Sequence, residues 1–400
     1  MPIIKPKGMI IKGQYHRPKL GTVVFGRQAR KNIACPNCFE KKKLRRKEKI
    51  NRLVPHVQIL TERIFIQWEG YKYHCKNCGR YFREQFPGLL KQKRYSEAYR
   101  KEVFNLHKAG VSQVELSRLK NIGTATVERW FHQLLERKNR EYQSYSYPTC
   151  IGLDEHRFTR KTGLLTTLCD LNGHRVLDVY KGRSESQIKQ NLMAIPGREK
   201  VLMVNMDLCE TYLSLAQKVF PNAIIVADRF HVVRLVNQHF LKTIQSIHPE
   251  QKNKKRILSV WRKHEWNFSE PQKAFKNHYF KDFPHLLPLF EFKQKLMKLL
   301  VLKRQSKKQC RTHISQLLFC LDELNSQHFS PLKTLAKTIQ QWIEPIAAMW
   351  RFTKTNSITE GFHRKMKLIQ RRAYGFKNFE NYRLRVRVLC GSMNLNSIYA

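Results

Sequence analysis

The chain of 400 residues is 42% apolar, and its 76 Lys and Arg against 30 Asp and Glu give a net charge of +46. This apolar content is enough for folded cores and argues against a chain that is disordered throughout. The charge predicts a polyanionic partner. Nucleic acid is the first candidate, because basic side chains release counterions when they neutralise its phosphates.

An anionic membrane surface is the rival partner for so basic a chain. The sequence contains no apolar run of about 18 residues that could span a bilayer. It also shows no signal peptide at its N-terminus. We therefore expect no membrane partner and a cytoplasmic location, on the nucleoid in a bacterial cell.

Two pairs of cysteines near the N-terminus have the spacing of metal-binding knuckles. Cys35 and Cys38 form the first CxxC, and Cys75 and Cys78 form the second, with 36 residues between the pairs. A two-residue spacer lets both thiolates of a knuckle reach one tetrahedral zinc ion at about 2.3 Å. Four free cysteines, or a redox CxxC, are weaker interpretations because two independent pairs occur without a βαβ pattern around either.

The segment between the knuckles predicts the layout of a zinc ribbon. Apolar and aromatic side chains alternate from Ile64 to Tyr73, and Glu69–Gly70 is interpreted as a turn. This pattern predicts a hairpin that leads into the second knuckle. His56 and His74 are surplus ligand candidates, each better explained as a structural or exposed residue.

Three helices are predicted after the second knuckle. Ser96 and Ser112 are N-cap candidates for the first two, and a turn at 121–123 precedes a third helix that Thr124 would cap. This is the helix-turn-helix pattern. The early residues Thr124, Thr126 and Arg129 of the third helix would then lie near base edges in the major groove. A plain three-helix bundle without DNA contact is the alternative.

From about residue 147 the pattern changes to short strands that alternate with helices. The hydrophobic runs predict strands at 149–158, 164–171, 175–180, 201–206 and 223–227, with helices at 184–194, at 211–219 and from about 230. A meander followed by crossovers predicts a mixed sheet covered by helices. The order β-β-β-α-β-α-β-α is the ribonuclease-H-like arrangement.

Two aspartates stand in apolar runs of this predicted sheet. Asp154 follows Leu153 in the first strand, and Asp207 follows the strand that ends at Met206. These strands are expected to be neighbours, so the two carboxylates should project toward the same edge. A divalent cation relieves the repulsion between close carboxylates, and hard oxygen ligands suit Mg²⁺ or Mn²⁺. Glu155 is the poorer candidate because it should point to the opposite sheet face.

A third acid comes much later in the chain. Leucines recur at three and four residues between about Ile257 and Trp350, which predicts a helical insertion in the core fold. Glu360 follows, near the start of another predicted helix, and could return to the paired aspartates. Each acid taken alone could instead form a salt bridge or cap a helix.

Ordered motifs along nearly the whole chain resemble those of bacterial insertion-sequence transposases of the DDE class, in the ISL3 group. The matching stretches are Cys35–Cys38, Cys75–Cys78, Ile151–Glu155, Met206–Asp207, Val226–Val232, Asn356–Lys367 and Arg371–Phe376. The resemblance implies an N-terminal zinc ribbon, a helix-turn-helix and a ribonuclease-H-like core split by a helical insertion. It implies Asp154, Asp207 and Glu360 as the catalytic triad of a DNA transposase, which holds Mg²⁺ or Mn²⁺.

Other residues are candidates for contact with the substrate. Asp228 ends a strand on the same side of the sheet as Asp207, and His231 lies one helical turn later, so both could line the site. A capping Asp with a structural His is the alternative. Lys365, Arg371 and Arg372 are predicted to contact DNA, and a solvated basic surface is the alternative for them.

The prediction as a whole is a multi-domain α/β protein. It has a zinc ribbon with a basic segment at 1–92, a helix-turn-helix at 93–145 and a catalytic core at 146–250. A helical insertion at 251–350 and the last part of the core at 351–400 follow. The expected activity is cleavage at element ends and transfer of the 3′-hydroxyl into target DNA, by a homodimer or larger oligomer. A non-catalytic DNA-binding regulator and a nuclease that cuts without joining are the alternatives.

Overall fold

The computed structural model describes residues 8–29, 33–59, 61–86, 88–89, 94–142, 146–159, 163–251, 254–353 and 357–391. The chain forms two compact units, Met1–Arg137 and Lys138–Ala400. Asn356, the first residue of one sequence motif, lies outside the described residues. None of the described helices has the length and apolar character needed to cross a membrane.

The first unit opens with a five-stranded sheet. Its strands are β1 (Met9–Arg17), β2 (Gly21–Gln28), β3 (Leu44–Ile59), β4 (Glu62–Cys75) and β5 (Tyr81–Arg83). They are ordered β1-β2-β4-β3, with β5 paired to β4. The long antiparallel β3–β4 pair ends at the cysteines, since Leu44 lies opposite Cys75.

The predicted turn at Glu69–Gly70 is wrong, because β4 continues through both residues and the hairpin is formed by β3 and β4. Gly70 pairs with Ile50 in this ladder. A Cβ at position 70 would lie 2.9 Å from the Phe86 ring, so the glycine leaves room for that ring. Close packing therefore accounts for this glycine, which the sequence pattern suggested as a turn residue.

Three helices complete the first unit: α1 (Glu97–Ala109), α2 (Gln113–Lys120) and α3 (Thr124–Tyr142), the last of which extends past Arg137. The hydroxyls of Ser96 and Ser112 accept from backbone N–H groups of the first turns, as predicted. Thr124 is the first helical residue of α3 rather than its cap, and the carbonyl of Gly123 accepts the first hydrogen bonds. The helices share a small core around Leu116, Val127 and Trp130.

The second unit is built on a mixed five-stranded sheet. Its strands are β6 (Cys150–Thr159), β7 (Gly163–Asp170), β8 (Arg175–Lys181), β9 (Met203–Met206) and β10 (Ile224–Ala227). The order is β10-β9-β6-β7-β8. β6 pairs antiparallel with β7 and parallel with β9, which confirms that the first strand and the strand after the first helix are neighbours.

Helices connect the later strands and cover the sheet. The crossovers are α4 (Glu185–Met193) and α5 (Glu210–Val219), and α6 (Arg229–Ile247) follows β10. Six helices then lie in the stretch predicted to be helical: α7 (Lys255–Arg262), α8 (Glu270–Asp282), α9 (Leu287–Leu300), α10 (Lys307–Ser326), α11 (Ser330–Gln341) and α12 (Ile343–Arg351). Their buried side chains join those of the sheet in one continuous hydrophobic core.

The last two helices return to the sheet. They are α13 (Ser357–Arg372) and α14 (Phe379–Cys390), and α14 packs on β8. The Asp178 carboxylate of β8 is buried and accepts two hydrogen bonds of 2.7 Å from the Arg383 guanidinium of α14. Arg387 lies 3.7 Å from the same carboxylate. This cluster fixes α14, and with it α13, against the sheet of the second unit.

Replacing Asp178 by Ala should destabilise the second unit by about 3 kcal/mol, because two arginines lose the carboxylate that neutralises them at a partly buried site. Urea-induced unfolding followed by circular dichroism measures the change. Lys273→Ala is the matched control, since it breaks the exposed Lys273–Glu270 pair and should cost under about 0.5 kcal/mol. Equal effects of the two changes would contradict this account of α14.

Candidate active site and zinc cluster

Three aspartates follow aligned positions on the three parallel strands. Leu153 of β6 pairs with Met206 of β9, and Met206 pairs with Ala227 of β10. Asp154, Asp207 and Asp228 are the next residues on each strand path. In-register parallel strands bring their carboxyl ends to one edge of the sheet, which is where open α/β sheets bind ligands. The register thus aligns three carboxylates in a row at that edge.

Asp154 is the more deeply buried of the two predicted aspartate ligands. Its side chain is 12% exposed, and its Oδ1 accepts from the backbone N–H of Glu155 at 2.7 Å. Burial, together with the nearby Asp207 carboxylate, raises the pKa of Asp154 to about 8. A carboxylate that is destabilised by burial and like charge is a ready ligand for a cation.

Asp207 lies between Asp154 and a histidine. Its Oδ2 is 3.3 Å from Nδ1 of His231 on α6. Burial raises the pKa of Asp207 to about 6, although His231 opposes the shift. The Oδ1 atom of Asp207 is buried and has no hydrogen-bond partner among the described residues. That oxygen is therefore available to an added ligand such as a metal ion.

Asp228 has two roles at once in this row. It is the N-cap of α6, where its Oδ1 accepts from the backbone N–H of Phe230 at 2.8 Å. Burial raises its pKa. Ligand atoms of Asp207, Asp228 and His231 all lie within 4.8 Å of one another. The capping role considered from the sequence is therefore real, and it leaves Asp228 within the cluster.

Glu360 lies in the first turn of α13 and is not part of the cluster that Asp207 and Asp228 form with His231. Its carboxylate is 58% exposed and is 3.1 Å from Nη2 of Arg364. The charge of Glu360 nevertheless contributes to the raised pKa of Asp228. The structure thus brings Asp154, Asp207 and Asp228 together, with Glu360 nearby and paired with an arginine.

Glu155 points to the opposite face of the sheet from Asp154, as strand alternation requires, and its charge still contributes to the raised pKa of Asp207. Its Oε2 is 3.7 Å from Arg183, and its Oε1 lies 4.0 Å from the Cys209 thiol, next to the start of α5. Asp154 instead faces α13, where His363 Nδ1 is 3.6 Å from its Oδ2. Two adjacent acids therefore occupy different environments.

A set of buried polar side chains behind Asp154 was not predicted from the sequence. They are His156 on β6, Thr167 on β7, His363 on α13 and Tyr382 on α14. Burial lowers the pKa of His363 to about 4 and that of His156 to about 3. Signals existed, because His156 is two residues after Asp154 on a strand, on the same face, and His363 is one helical turn after Glu360.

The four cysteines of the knuckles converge in the first unit. Their sulfur atoms lie within 4.8 Å of one another, and Cys35–Cys78 and Cys38–Cys75 are both 3.6 Å apart. Four sulfurs around zinc at 2.3 Å would be about 3.8 Å apart, so the cluster fits that ion. Backbone N–H donation at Glu40 lowers the pKa of Cys38 to about 6, which favours the thiolate form.

The two histidines near the cysteines have other partners. His56 is buried and its Nδ1 is 2.9 Å from the Ser96 hydroxyl. The ring of His74 packs on Tyr81, with centroids 4.5 Å apart. Neither belongs to the cysteine cluster, in agreement with the structural role expected for them.

The residues predicted to contact DNA lie mostly on exposed helix surfaces. Thr124 and Arg129 of α3 are exposed, and Arg129 donates to the half-buried Thr126 hydroxyl at 3.2 Å. Lys365, Arg371 and Arg372 of α13 are exposed as well, and Lys365 donates to the carbonyl of Leu389. The first turn of α3 and the outer face of α13 thus present polar and basic groups to solvent.

Parts of both units are similar to known transposases. A family model described as a transposase, for the ISL3 group of DDE transposases, matches residues 151–386, and a model for the zinc finger of transposases IS204/IS1001/IS1096/IS1165 matches residues 31–78. The chain is also similar to the transposase for insertion sequence element IS1001 of Bordetella parapertussis. The two are 22% identical over 347 residues, which cover 84% of each chain.

The first match spans more than half of the chain and contains all three aspartates and Glu360. The second ends at Cys78, the last of the four clustered cysteines. A DDE transposase requires a divalent metal and a zinc ribbon requires zinc. The structure contains suitable donors for each, namely the cluster of Asp207, Asp228 and His231 and the cluster of four cysteines. The chain is a member of the ISL3 group of DDE transposases with an N-terminal zinc ribbon.

Proposed function

We propose that this transposase cleaves DNA at the ends of its element and joins the freed 3′-hydroxyl to target DNA, with Asp154, Asp207 and Glu360 as the catalytic triad. The observation that carries the proposal is the row of aspartates aligned by the parallel register of β6, β9 and β10. Bound Mg²⁺ or Mn²⁺ would stabilise the attacking and leaving oxygens of an in-line displacement. The residues of the chain hold those cations and the DNA.

Asp154 and Asp207 form the fixed part of this site. Asp154 lies within β6 and Asp207 directly follows β9, and both side chains are largely buried, so their carboxylates need little rearrangement. Asp228 and His231 line the other side of Asp207. His231 is 31% exposed and is close to Asp207, where it can meet a phosphate oxygen of the substrate.

Glu360 forms the adjustable part of the site. Its backbone is held in the first turn of α13, whereas its carboxylate is exposed and paired with Arg364. An exposed pair of this kind is worth little free energy. A rotation of the side chain can therefore release Glu360 from Arg364 and bring it to a cation held by the aspartates.

DNA binding is assigned to basic and polar surfaces outside this row. We propose that α1, α2 and α3 act as a helix-turn-helix with Thr124, Thr126 and Arg129 near base edges, and that Lys365, Arg371 and Arg372 contact phosphates. We interpret the β6–β10 sheet as a ribonuclease-H-like core, and we propose that the chain divides into the five predicted segments, 1–92, 93–145, 146–250, 251–350 and 351–400. The substrates are the terminal inverted repeats and target DNA, so the protein would act on the nucleoid in the cytoplasm. Two element ends per reaction favour a homodimer or a larger oligomer.

Asp154→Asn, Asp207→Asn and Glu360→Gln should each lower cleavage and joining by at least about 10³-fold, because several kcal/mol of transition-state stabilisation are lost with a cation ligand. Binding of an element-end duplex should stay within a few-fold of the wild-type value. Single-turnover cleavage and joining of labelled end duplexes in Mg²⁺ measure the rates, and gel-shift titration measures the binding.

Glu155→Gln is the matched control for these variants, since Glu155 adjoins Asp154 and faces the other side of the sheet. It should keep its cleavage rate within about tenfold. Full activity in Asp154→Asn together with its loss in Glu155→Gln would overturn the assignment. Product analysis also tests the reaction, since cut ends without joined products would indicate a nuclease, and binding without nicking would indicate a regulator.

The stability of the folded protein should depend on pH because Asp154 and Asp207 have raised pKa values. The folded protein raises the pKa of Asp154 to about 8 and that of Asp207 to about 6. Because folding raises these values, their stabilising contribution is complete below the unfolded pKa of about 3.9 and is lost as the pH rises through about 6 and about 8. Added Mg²⁺ should therefore raise the melting temperature more at about pH 8.5 than at about pH 6.

Asp154→Asn should abolish most of this Mg²⁺ effect and should melt above the wild type at about pH 8.5 without Mg²⁺, since it carries no charge to bury. Glu185→Gln is the control, because Glu185 pairs with Lys218 and Lys189 at the surface. Differential scanning fluorimetry of zinc-loaded protein gives both comparisons. An Mg²⁺ effect that is the same at both pH values would contradict this account of the site.

Zinc should be bound at one ion per chain by the four clustered cysteines. Cys38→Ser and Cys78→Ser should each remove it and unfold the β3–β5 region, because a structural zinc site contributes folding free energy. Atomic absorption after dialysis measures the metal, and circular dichroism measures the fold. Cys150→Ser, which changes a half-buried cysteine of β6, should keep one zinc. Retention of zinc by both knuckle variants would contradict the assignment.

A further inference from the structure

A continuous chain of buried polar side chains connects Asp154 to the C-terminal helix. Nδ1 of His363 is 3.6 Å from Asp154 Oδ2, and Nε2 of His363 is 3.0 Å from the Thr167 hydroxyl. The same hydroxyl is 3.0 Å from Nδ1 of His156. Nε2 of His156 is 2.9 Å from the Tyr382 hydroxyl. Four elements, β6, β7, α13 and α14, each contribute one member.

Hydrogen bonds along this row of side chains can run in one direction only if His363 is to offer an N–H to a charged Asp154. A neutral imidazole has one N–H and one acceptor nitrogen, and a hydroxyl has a single hydrogen to donate. If Tyr382 donates to His156, then His156 donates to Thr167, and Thr167 donates to His363. His363 is then left with its N–H at Nδ1, directed at Asp154.

The surroundings favour this neutral, ordered form. Both rings are buried, with 4% of His156 and 8% of His363 exposed, and burial disfavours the charged imidazolium. The two rings lie with centroids 4.9 Å apart, so a charge on one would repel a charge on the other. Each ring nitrogen has a polar neighbour, which determines the tautomer of both rings.

His363 also connects Asp154 to the helix that carries Glu360. The two residues are three positions apart in α13 and lie on neighbouring parts of its surface. The contacts of His363 with β6 and β7 therefore set how α13 lies against the sheet. The His363–Asp154 separation of 3.6 Å exceeds a hydrogen bond, and contacts of this kind tighten when the complete complex assembles.

We propose that His363 is a positioning residue that directs its Nδ1–H at Asp154 and orients that carboxylate toward the divalent cation, with its tautomer set by Thr167, His156 and Tyr382. The inference rests on the proposed function, which makes Asp154 a metal ligand. His363 touches neither DNA nor cation in this role. Outer partners of this kind orient the ligands that touch a metal, and their loss costs about 10–100-fold in affinity or activity.

Binding of Mn²⁺ to the zinc-loaded, DNA-free chain tests the proposal without relying on turnover. Electron paramagnetic resonance measures the free Mn²⁺ in a titration and so gives the dissociation constant. His363→Leu, which removes the donor, should weaken Mn²⁺ binding by about tenfold or more. His363→Asn, whose amide N–H can replace Nδ1–H, should stay within about threefold of the wild type.

A second pair of variants covers the case in which a change at 363 disturbs folding. Thr167→Val keeps the shape of the side chain but interrupts the chain of donors, and Thr167→Ser keeps the hydroxyl. The valine variant should weaken Mn²⁺ binding several-fold and the serine variant should not. If Thr167 had only a structural role, the Mn²⁺ affinities of the two variants would follow their melting temperatures instead.

The outcomes separate this inference from the function on which it rests. Mn²⁺ binding that is lost in Asp154→Ala but unchanged in His363→Leu and Thr167→Val would overturn the positioning role alone. Mn²⁺ binding that is the same in the wild type and in Asp154→Ala, or absent from both, would overturn the proposed metal site and the inference with it. Weaker binding in His363→Leu, restored in His363→Asn, supports the proposal.

Discussion

The parallel register of β6, β9 and β10 is the constraint on which the site depends. Because Leu153, Met206 and Ala227 are aligned, the residues that follow them bring three carboxylates to one sheet edge. A one-residue shift of any strand would turn its side chains to the opposite face. The hydrophobic core around the sheet opposes such a shift, so core packing and the alignment of the three aspartates are specified together.

This alignment is electrostatically costly in the absence of a cation. Burial is the largest cause that raises the pKa values of Asp154 and Asp207. Neighbouring carboxylates add to it, namely Asp207 and Asp228 for Asp154, and Asp228 and Glu155 for Asp207. The Glu155 backbone N–H at Asp154 and His231 at Asp207 offset this cost only in part. The chain as a whole has a net charge of +46, which attracts phosphate. Cation binding and DNA binding are therefore expected to reinforce each other at this edge.

Local patterns in the sequence predicted most elements of the second unit. The apolar runs predicted all five strands to within about two residues, and the expected pairing of the first and fourth strands correctly placed Asp154 beside Asp207. Gly70 misled the prediction because its role depends on the Phe86 ring, which approaches from another part of the chain. The same limit hid the partners of His363, since Thr167 and Tyr382 join its network only through tertiary packing. Likewise, the ion pair between Glu360 and Arg364 depends on side-chain conformation, which the periodicity of apolar residues in the sequence does not reveal.

The central claim is that the aligned aspartates and Glu360 share a divalent cation while the transposase holds DNA. Anomalous diffraction from a crystal of the protein with cleaved element ends and Mn²⁺ tests this claim most directly. The account predicts a manganese peak between Asp154 and Asp207, with Glu360 turned away from Arg364 and toward the metal. Manganese bound elsewhere, or a Glu360 side chain still paired with Arg364 beside an occupied aspartate site, would contradict it.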